Sequence, residues 1–238
     1  MDTGKKFWRL SSEVFDQRAD EYDRWFDEGE LFGIEREALL SLTTQLAGPK
    51  VEIGVGPGRF AAALGVDIGI DPAMAPLRIA ARRGITPCRG IGEALPLADN
   101  SCGAVFLLFT LCFLEKPLQT LRECSRILRP DGHLIIGMVP ATSPWGQALA
   151  AKKAAGNPYY RQAVFQTPAT VRQWLAECGM TVTELRSTLR QAPGAVTLPE
   201  ASRPILDPDA GFVVMVGEKT NQLAGYTWPA ASIGPGKS

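Results

Sequence analysis

The stretch VEIGVGPGRFAAAL, residues 51–64, admits few folds. A short apolar run enters the glycines Gly54, Gly56 and Gly58 and leaves into RFAAAL, a brief helix over 59–64. Glycines at such spacing let the chain reverse sharply and let a ligand approach backbone that carries no Cβ. The helix start leaves backbone N–H groups free, suited to a carboxylate or a phosphate. Taken alone, the segment also fits a plain strand-to-helix turn. Its spacing, G-x-G-x-G with Glu52 two positions before the first glycine, departs from the G-x-G-x-x-G dinucleotide fingerprint.

The rest of the chain alternates in the same manner. VDIGI (66–70) reads as a second strand, residues 73–83 as a helix with Pro76 in its first turn, and ITPC (85–88) as a weak third strand. AVFLLF (104–109) is a continuous apolar run, the mark of a parallel strand buried on both faces. A helix over 116–129 is expected to end at Pro130-Asp131-Gly132, before the strand HLIIGMV (133–139). A helix over 168–178 and strands over 180–188 and 211–217 complete the pattern, with a proline-rich connection over 190–210. Upstream, one helix is expected over 11–28, capped by Ser11 or Ser12, and a second over 30–47, ended by Gly48-Pro49. Alternation from residue 50 onward argues an α/β, doubly wound sheet, whose ligands bind beyond the carboxyl ends of the strands.

The expected organisation is one domain over 1–220. It comprises N-terminal helices (11–47), a cofactor-binding core (50–139), a cap insertion (140–167) and a C-terminal part of the sheet (168–217); 221–238 reads as a poorly ordered, glycine- and proline-rich tail. Charges balance at 25 basic and 25 acidic residues, without the basic excess that holds a nucleic-acid backbone, so no nucleic-acid partner is expected. Five cysteines, with no C-x-x-C, read as free thiols in a reducing compartment. The single histidine, His133, rules out a zinc site on paired histidines, and no metal is expected. The N-terminus lacks an apolar signal core, and the longest apolar run, Ala104–Leu114, is too short to span a bilayer. A cytoplasmic protein is expected.

Asp71 ends the second strand, where its carboxylate can accept from both hydroxyls of a ribose; followed by Pro72, it also suits a helix cap. Glu52–Gly58, Asp71, GEALPL (92–97) and LRECSRILRPDGHLIIG (121–137), in this order, resemble the class I S-adenosylmethionine-dependent methyltransferases, and among them the small-molecule branch of ubiquinone/menaquinone-type enzymes. The resemblance covers residues 50–140 well and 13–47 and 168–217 more loosely. It implies a Rossmann-like, seven-stranded sheet, mostly parallel with the last strand antiparallel, and S-adenosylmethionine as cofactor, converted to S-adenosylhomocysteine. Carried over, it gives Glu52, Gly54, Val55, Gly56 and Gly58 the methionine end and Asp71 with Pro72 the ribose. Ala73 and Met74 flank the adenine, and Ile91, Gly92 and Glu93 cover its edge. The backbone of Phe109 and Thr110 meets the methionine ammonium, and a helix bearing Tyr22, Trp25 and Phe26 closes over the site. Two departures stand out: Ile91 replaces an acid that relatives offer to the adenine amino group, and Cys102-Gly103 replaces a Phe-Asp at the fourth strand.

Methyl transfer from a sulfonium is an in-line displacement that needs alignment more than a compulsory catalytic side chain, so none is assigned. His133 is read as a surface residue on the far side of the sheet, and Cys112 as a packing thiol near the site. Trp145, Tyr159, Tyr160 and Arg161 of the insertion are the candidate acceptor residues, with Arg161 as an anion partner; the alternative is that these aromatics pack the cap on the sheet. The expected acceptor is a small organic molecule. Two other readings stay open: a non-catalytic S-adenosylmethionine-binding protein, and an NAD-dependent oxidoreductase.

Overall fold

The computed structural model describes residues 7–25, 27, 30–43 and 45–220. Phe26 and the expected tail 221–238 lie outside them. Seven strands, β1 (Lys50–Ile53), β2 (Ile68–Asp71), β3 (Thr86–Arg89), β4 (Cys102–Leu108), β5 (Leu128–Met138), β6 (Met180–Thr188) and β7 (Phe212–Lys219), form one sheet in the order β3-β2-β1-β4-β5-β7-β6. β1 to β5 pair in parallel, and β7 runs antiparallel to both β5 and β6. The expected doubly wound sheet with its antiparallel last strand is present.

Burial follows the strand period of two. Val51, Ile53, Val105, Leu107, Leu134, Ile136, Val213 and Met215 pack to one face. There they meet Leu121, Cys124 and Ile127 of α6 (Pro117–Ile127) and Val171 and Leu175 of α8 (Pro168–Glu177). Ala104, Phe106, Leu108, Ile135, Val214 and Val216 pack to the other face. Their partners are apolar residues of α3 (Leu31–Thr43), α4 (Arg59–Leu64) and α5 (Met74–Arg82). Every residue of β4 is buried, as its unbroken apolar run requires.

Two expectations need correction. The helix read over 11–28 is two helices, α1 (Phe7–Gln17) and α2 (Ala19–Arg24). They part at Arg18, whose φ of −125° leaves the helical region. Ser11 is therefore no cap: it lies inside α1 with its side chain turned inward. Pro130-Asp131-Gly132 does not separate helix from strand either. α6 ends at Ile127, and β5 starts at Leu128 opposite Cys102, whereas His133 already stands opposite Ala104. The turn-forming triplet forms a bulge in β5, a device that accommodates residues in excess of the partner strand.

Gly103 sits at the β4 side of that bulge. A Cβ there would lie 2.3 Å from the Ala47 carbonyl oxygen, so this departure from the family pattern admits the 47–48 backbone against the strand. Gly103→Ala is expected to lower stability by about 1–3 kcal/mol, the usual cost of overpacking. Thermal unfolding would show this as an earlier transition, with ligand binding below it unaffected.

Candidate active site at the carboxyl edge of the sheet

The chain enters the sheet at β1, winds outward to β3, then returns to the other side of β1 as β4. The carboxyl ends of β1 and β4 thus bound a crevice at the point where the winding reverses, where open α/β sheets bind ligands. Gly54, Gly56 and Gly58 all have positive φ, at 73°, 52° and 77°. A Cβ at Gly54 would stand 2.3 Å from Oγ1 of Thr110. That hydroxyl is 3.0 Å from the carbonyl oxygens of both Ile53 and Leu108 and ties the two strand ends together.

Asp71 closes the adjoining side. Its Oδ2 accepts from the Gly56 amide at 3.0 Å and its Oδ1 from the Ala73 amide at 2.8 Å. Burial pushes its pKa up to about 6, against the pull of these two hydrogen bonds. A carboxylate has about four acceptor positions, so Asp71 serves the turn and keeps capacity for a ligand. Burial and the neighbouring Asp71 charge likewise raise Glu52, whose Oε2 is buried without a hydrogen-bond partner.

A cavity opens over these groups, walled by Ile53, Gly54, Gly56, Asp71, Pro72, Gly90–Glu93 and Leu108–Thr110. Ile91 bridges Ala94, and Oε1 of Glu93 accepts from the amides of Glu115 and Lys116, so the 91–94 turn is held to the start of α6. Across the mouth, α1 contributes Trp8, Ser11, Ser12 and Phe15, and α2 contributes Tyr22. Of the expected cofactor residues, Glu52, Val55, Gly58, Met74 and Trp25 do not line this cavity; Glu52 is buried beside the lining residue Ile53. Val55 is packed against Gly69 in the core, Gly58 caps α4 against Ala80, and Met74 is exposed at the start of α5. The α1 residues were missed. The signal for them is the spacing 8, 11, 12, 15, one face of a helix.

A second cavity of about 160 Å³ adjoins the first, and the two share Phe15, Tyr22, Phe109 and Phe113. Trp145, Tyr159 and Tyr160 of the insertion line it, joined by Trp25. The ring centroids of Trp25 and Tyr159 are 4.5 Å apart, and those of Phe15 and Tyr22 5.0 Å. Trp145 also donates from Nε1 to the Gln191 carbonyl at 2.9 Å, which fixes the insertion's first helix, α7 (Pro144–Ala154), on the connection before β7. Arg161 is exposed and lines neither cavity. Among the described residues, the one carboxylate in this wall is Glu35 of α3, which the sequence reading passed over. Its signal is position: with Leu31, Ile34, Ala38 and Leu42 it falls on the apolar stripe of α3.

Phe109 stands between the cavities with a φ of 57°, rare for a bulky residue. Its amide donates to the Gly137 carbonyl at 2.8 Å, and its ring stacks on Phe212 with centroids 4.9 Å apart. Cys112 lines the second cavity, and burial pushes its thiol up to about 12, so it remains protonated. His133 lies at the opposite end of β5, 3.5 Å from Glu218.

Tyr22 is held over Gly56 by its neighbour. Asp23 accepts from Nε of Arg59 at 2.7 Å and from Nη2 of Arg83 at 2.8 Å, and Arg83 also donates to the Pro57 carbonyl. Burial alone would raise Asp23, but the hydrogen bonds from the two arginines outweigh it and hold the carboxyl below its ordinary value. Asp23→Ala is expected to free α2 from α4 and α5, and hydrogen exchange of the Ala19–Arg24 amides should accelerate at least several-fold. A second prediction concerns pH. Carboxyls raised on folding favour the folded state below their unfolded pKa, and that contribution is lost as pH rises through the folded value. Asp71, at about 6, and Glu35, at about 8, should therefore make the ligand-free protein progressively less stable from about pH 4 to about pH 8. Glu35→Gln should flatten the upper part of that decline, as read by denaturant unfolding across the range.

Comparison with known proteins agrees with this geometry. A methyltransferase domain family matches residues 51–136. An uncharacterized protein of Mycobacterium tuberculosis is 41% identical over 198 residues, which cover 82% of this chain and 70% of that one. A ubiquinone/menaquinone biosynthesis C-methyltransferase of Syntrophotalea carbinolica is 30% identical over 139 residues, 52% of this chain and 58% of that one. Among solved structures, a SAM-dependent methyltransferase from Thermotoga maritima, described as a possible histamine N-methyltransferase, aligns with a TM-score of 0.82 at 31% identity, over 90% of this chain and 100% of that one. With the sheet order and the glycine cradle, these matches make the chain a member of the class I S-adenosylmethionine-dependent methyltransferases, with S-adenosylmethionine as its cofactor.

Proposed function

We propose that this methyltransferase delivers its methyl group, by in-line displacement, to a small organic acceptor bound in the aromatic cavity. The observation that carries this reading is the common wall: Phe15, Tyr22, Phe109 and Phe113 face both cavities, so a molecule in one abuts a molecule in the other. The size suits a single ring with a short arm, since an apolar cavity of about 150 Å³ takes up benzene. The neutral formal charge of the chain gives no support to a polyanionic acceptor.

The residues of the first cavity fit the cofactor. Asp71 would take the ribose hydroxyls on its remaining acceptor positions, and Glu52, buried just behind the cavity wall with Oε2 unpartnered, is the nearby acid suited to the amino group of the methionine end. Ser11, whose hydroxyl is buried without a partner, offers a further polar contact from the α1 side. With an isoleucine at position 91, adenine recognition falls to backbone groups of the 90–93 turn. The cofactor supplies a methyl group on a positively charged sulfur, whose departure leaves a neutral thioether. The protein's part is to align the acceptor, exclude water and accept any proton the acceptor must lose. An adjoining cavity of ligand size favours this over a non-catalytic cofactor-binding role. Five free thiols support a cytoplasmic setting.

Calorimetric titration with S-adenosylhomocysteine tests the cofactor assignments. Binding should weaken about tenfold from about pH 7 to about pH 5, because Asp71, at about 6 in the free protein, must be ionised to receive the ribose hydroxyls. Asp71→Asn should bind at least tenfold more weakly and lose that step. Unchanged affinity in the variant would refute the ribose role.

A further inference from the structure

We propose that the acceptor is a small amine with an apolar, ring-sized body, and that Glu35 receives its amino group and takes up the proton that frees the nitrogen lone pair. The proposal rests on reading the aromatic cavity as the acceptor site. Glu35 projects from α3 into that wall and is only 5% exposed. Among the described residues no hydrogen bond or ion pair reaches its carboxyl group, and no lysine, arginine or histidine lines the cavity. Buried polar groups in folded proteins are almost always paired, and a buried unpaired carboxylate costs several kcal/mol, about the size of a large destabilising mutation. Nothing in the packing of α3 calls for that cost. Its other inward residues are the apolar Ile34, Ala38, Leu39 and Leu42 and Thr43, whose hydroxyl donates to the Leu39 carbonyl, and one more apolar residue at position 35 would serve the core better. The missing partner is therefore a ligand that brings hydrogen-bond donors and positive charge.

The rest of the wall points to the same chemistry. Tyr22, Trp25, Tyr159 and Tyr160 line the space, and the face of an aromatic ring attracts a cation. Glu35 is electrostatically coupled to the hydroxyls of Tyr22 and Tyr160, both of which burial pushes toward the protonated form. Neither tyrosine supplies a competing anion, and neither does the Cys112 thiol. Above about pH 8, where Glu35 is ionised, an acceptor carrying a carboxylate would meet it as a like charge in a poorly solvated site, and below that pH Glu35 could take no proton from it. An alcohol would satisfy the carboxylate with one hydrogen bond but bring no charge. An ammonium satisfies both demands. In the dry cavity its N–H bond breaks, the electron pair stays on nitrogen, and the proton forms an O–H bond on Glu35, so that two buried charges become two neutral groups. The amine then carries the lone pair that methylation requires. After turnover, Glu35 returns its proton to solvent as the site opens.

The test uses the full chain saturated with S-adenosylhomocysteine, titrated with benzylamine and phenethylamine, their alcohol counterparts benzyl alcohol and phenethyl alcohol, and hydrocinnamate. At about pH 9, where Glu35 is ionised, the amines should bind at least about tenfold more tightly than the alcohols, and the carboxylate should not bind. Glu35→Gln should remove that preference while S-adenosylhomocysteine affinity stays within about twofold, which also shows the variant to be folded. Glu35→Asp should keep part of the preference. With methyl-labelled S-adenosylmethionine, the amines should be methylated, and Glu35→Gln should lose about a hundredfold or more in kcat/KM, the ordinary worth of a general base. Amines binding no better than alcohols, or an undiminished preference in Glu35→Gln, would overturn the proposal while leaving the cofactor site standing. Failure of the wild-type chain to bind S-adenosylhomocysteine would instead overturn the methyltransferase site and this inference with it.

Discussion

The turn from Ile53 to Gly58 is the constraint on which the site depends. Three left-handed glycines bring the backbone back on itself without side chains, and each space they leave is used by something else. Thr110 occupies the space above Gly54, and Asp71 reaches the Gly56 amide. Tyr22 lies over Gly56, and Ala80 of α5 packs on Gly58. The turn therefore joins β1, β2, β4, α2 and α5 at one point. A substituent at Gly54 would displace Thr110 of the first cavity, and one at Gly58 would displace α5 at Ala80.

Against that rigid centre stand carboxyl groups kept where water is scarce. Glu52, Asp71 and Glu35 are all buried near the same edge of the sheet, and each is pushed above its ordinary pKa chiefly by loss of solvent. Asp23 shows the opposite arrangement, with two arginines that more than compensate its burial. The contrast separates two uses of an acid in one molecule. Asp23 is satisfied by the protein and holds α2 in place. The other three are only partly satisfied or not at all, and a ligand that completed them would recover the stability they cost, as binding to the folded state alone raises its stability.

How much of this was legible in the sequence depended on distance along the chain. The glycine turn, Asp71 and the strands of the core are local: a strand, its turn and the next helix are contiguous, so spacing reveals them. The doubly wound class of the sheet followed from alternation, and its antiparallel last strand from the resemblance. Pro130-Asp131-Gly132 misled because the same residues that end helices also build bulges, and only the pairing of Leu128 with Cys102 tells the two apart. α1 was legible as a helix but not as a wall, since Trp8, Ser11 and Phe15 acquire their meaning only when α1 crosses the mouth of a cavity formed by β1 and β4. Glu35 was passed over for a similar reason. An acid on an apolar helical stripe is visible in the sequence, but that it faces an aromatic cavity rather than a salt bridge is set by segments more than a hundred residues away, Tyr159 and Tyr160 among them.

The two cavities draw on the chain in different ways. Most of the floor of the first comes from the continuous stretch between β1 and the start of α6, which is the part that matches the methyltransferase family. The second is gathered from α1 to α3, the turn after β4, the end of β5 and the 140–167 insertion, and of these only Phe109 to Phe113 fall inside the matched residues. On the proposed reading, the matched stretch supplies most of the cofactor's floor and the segments outside it most of the acceptor's wall, with α1 and α2 shared between the two. If the aromatic cavity is the acceptor site, exchanges in the 140–167 insertion would change what is methylated without touching the strands around the methyl donor.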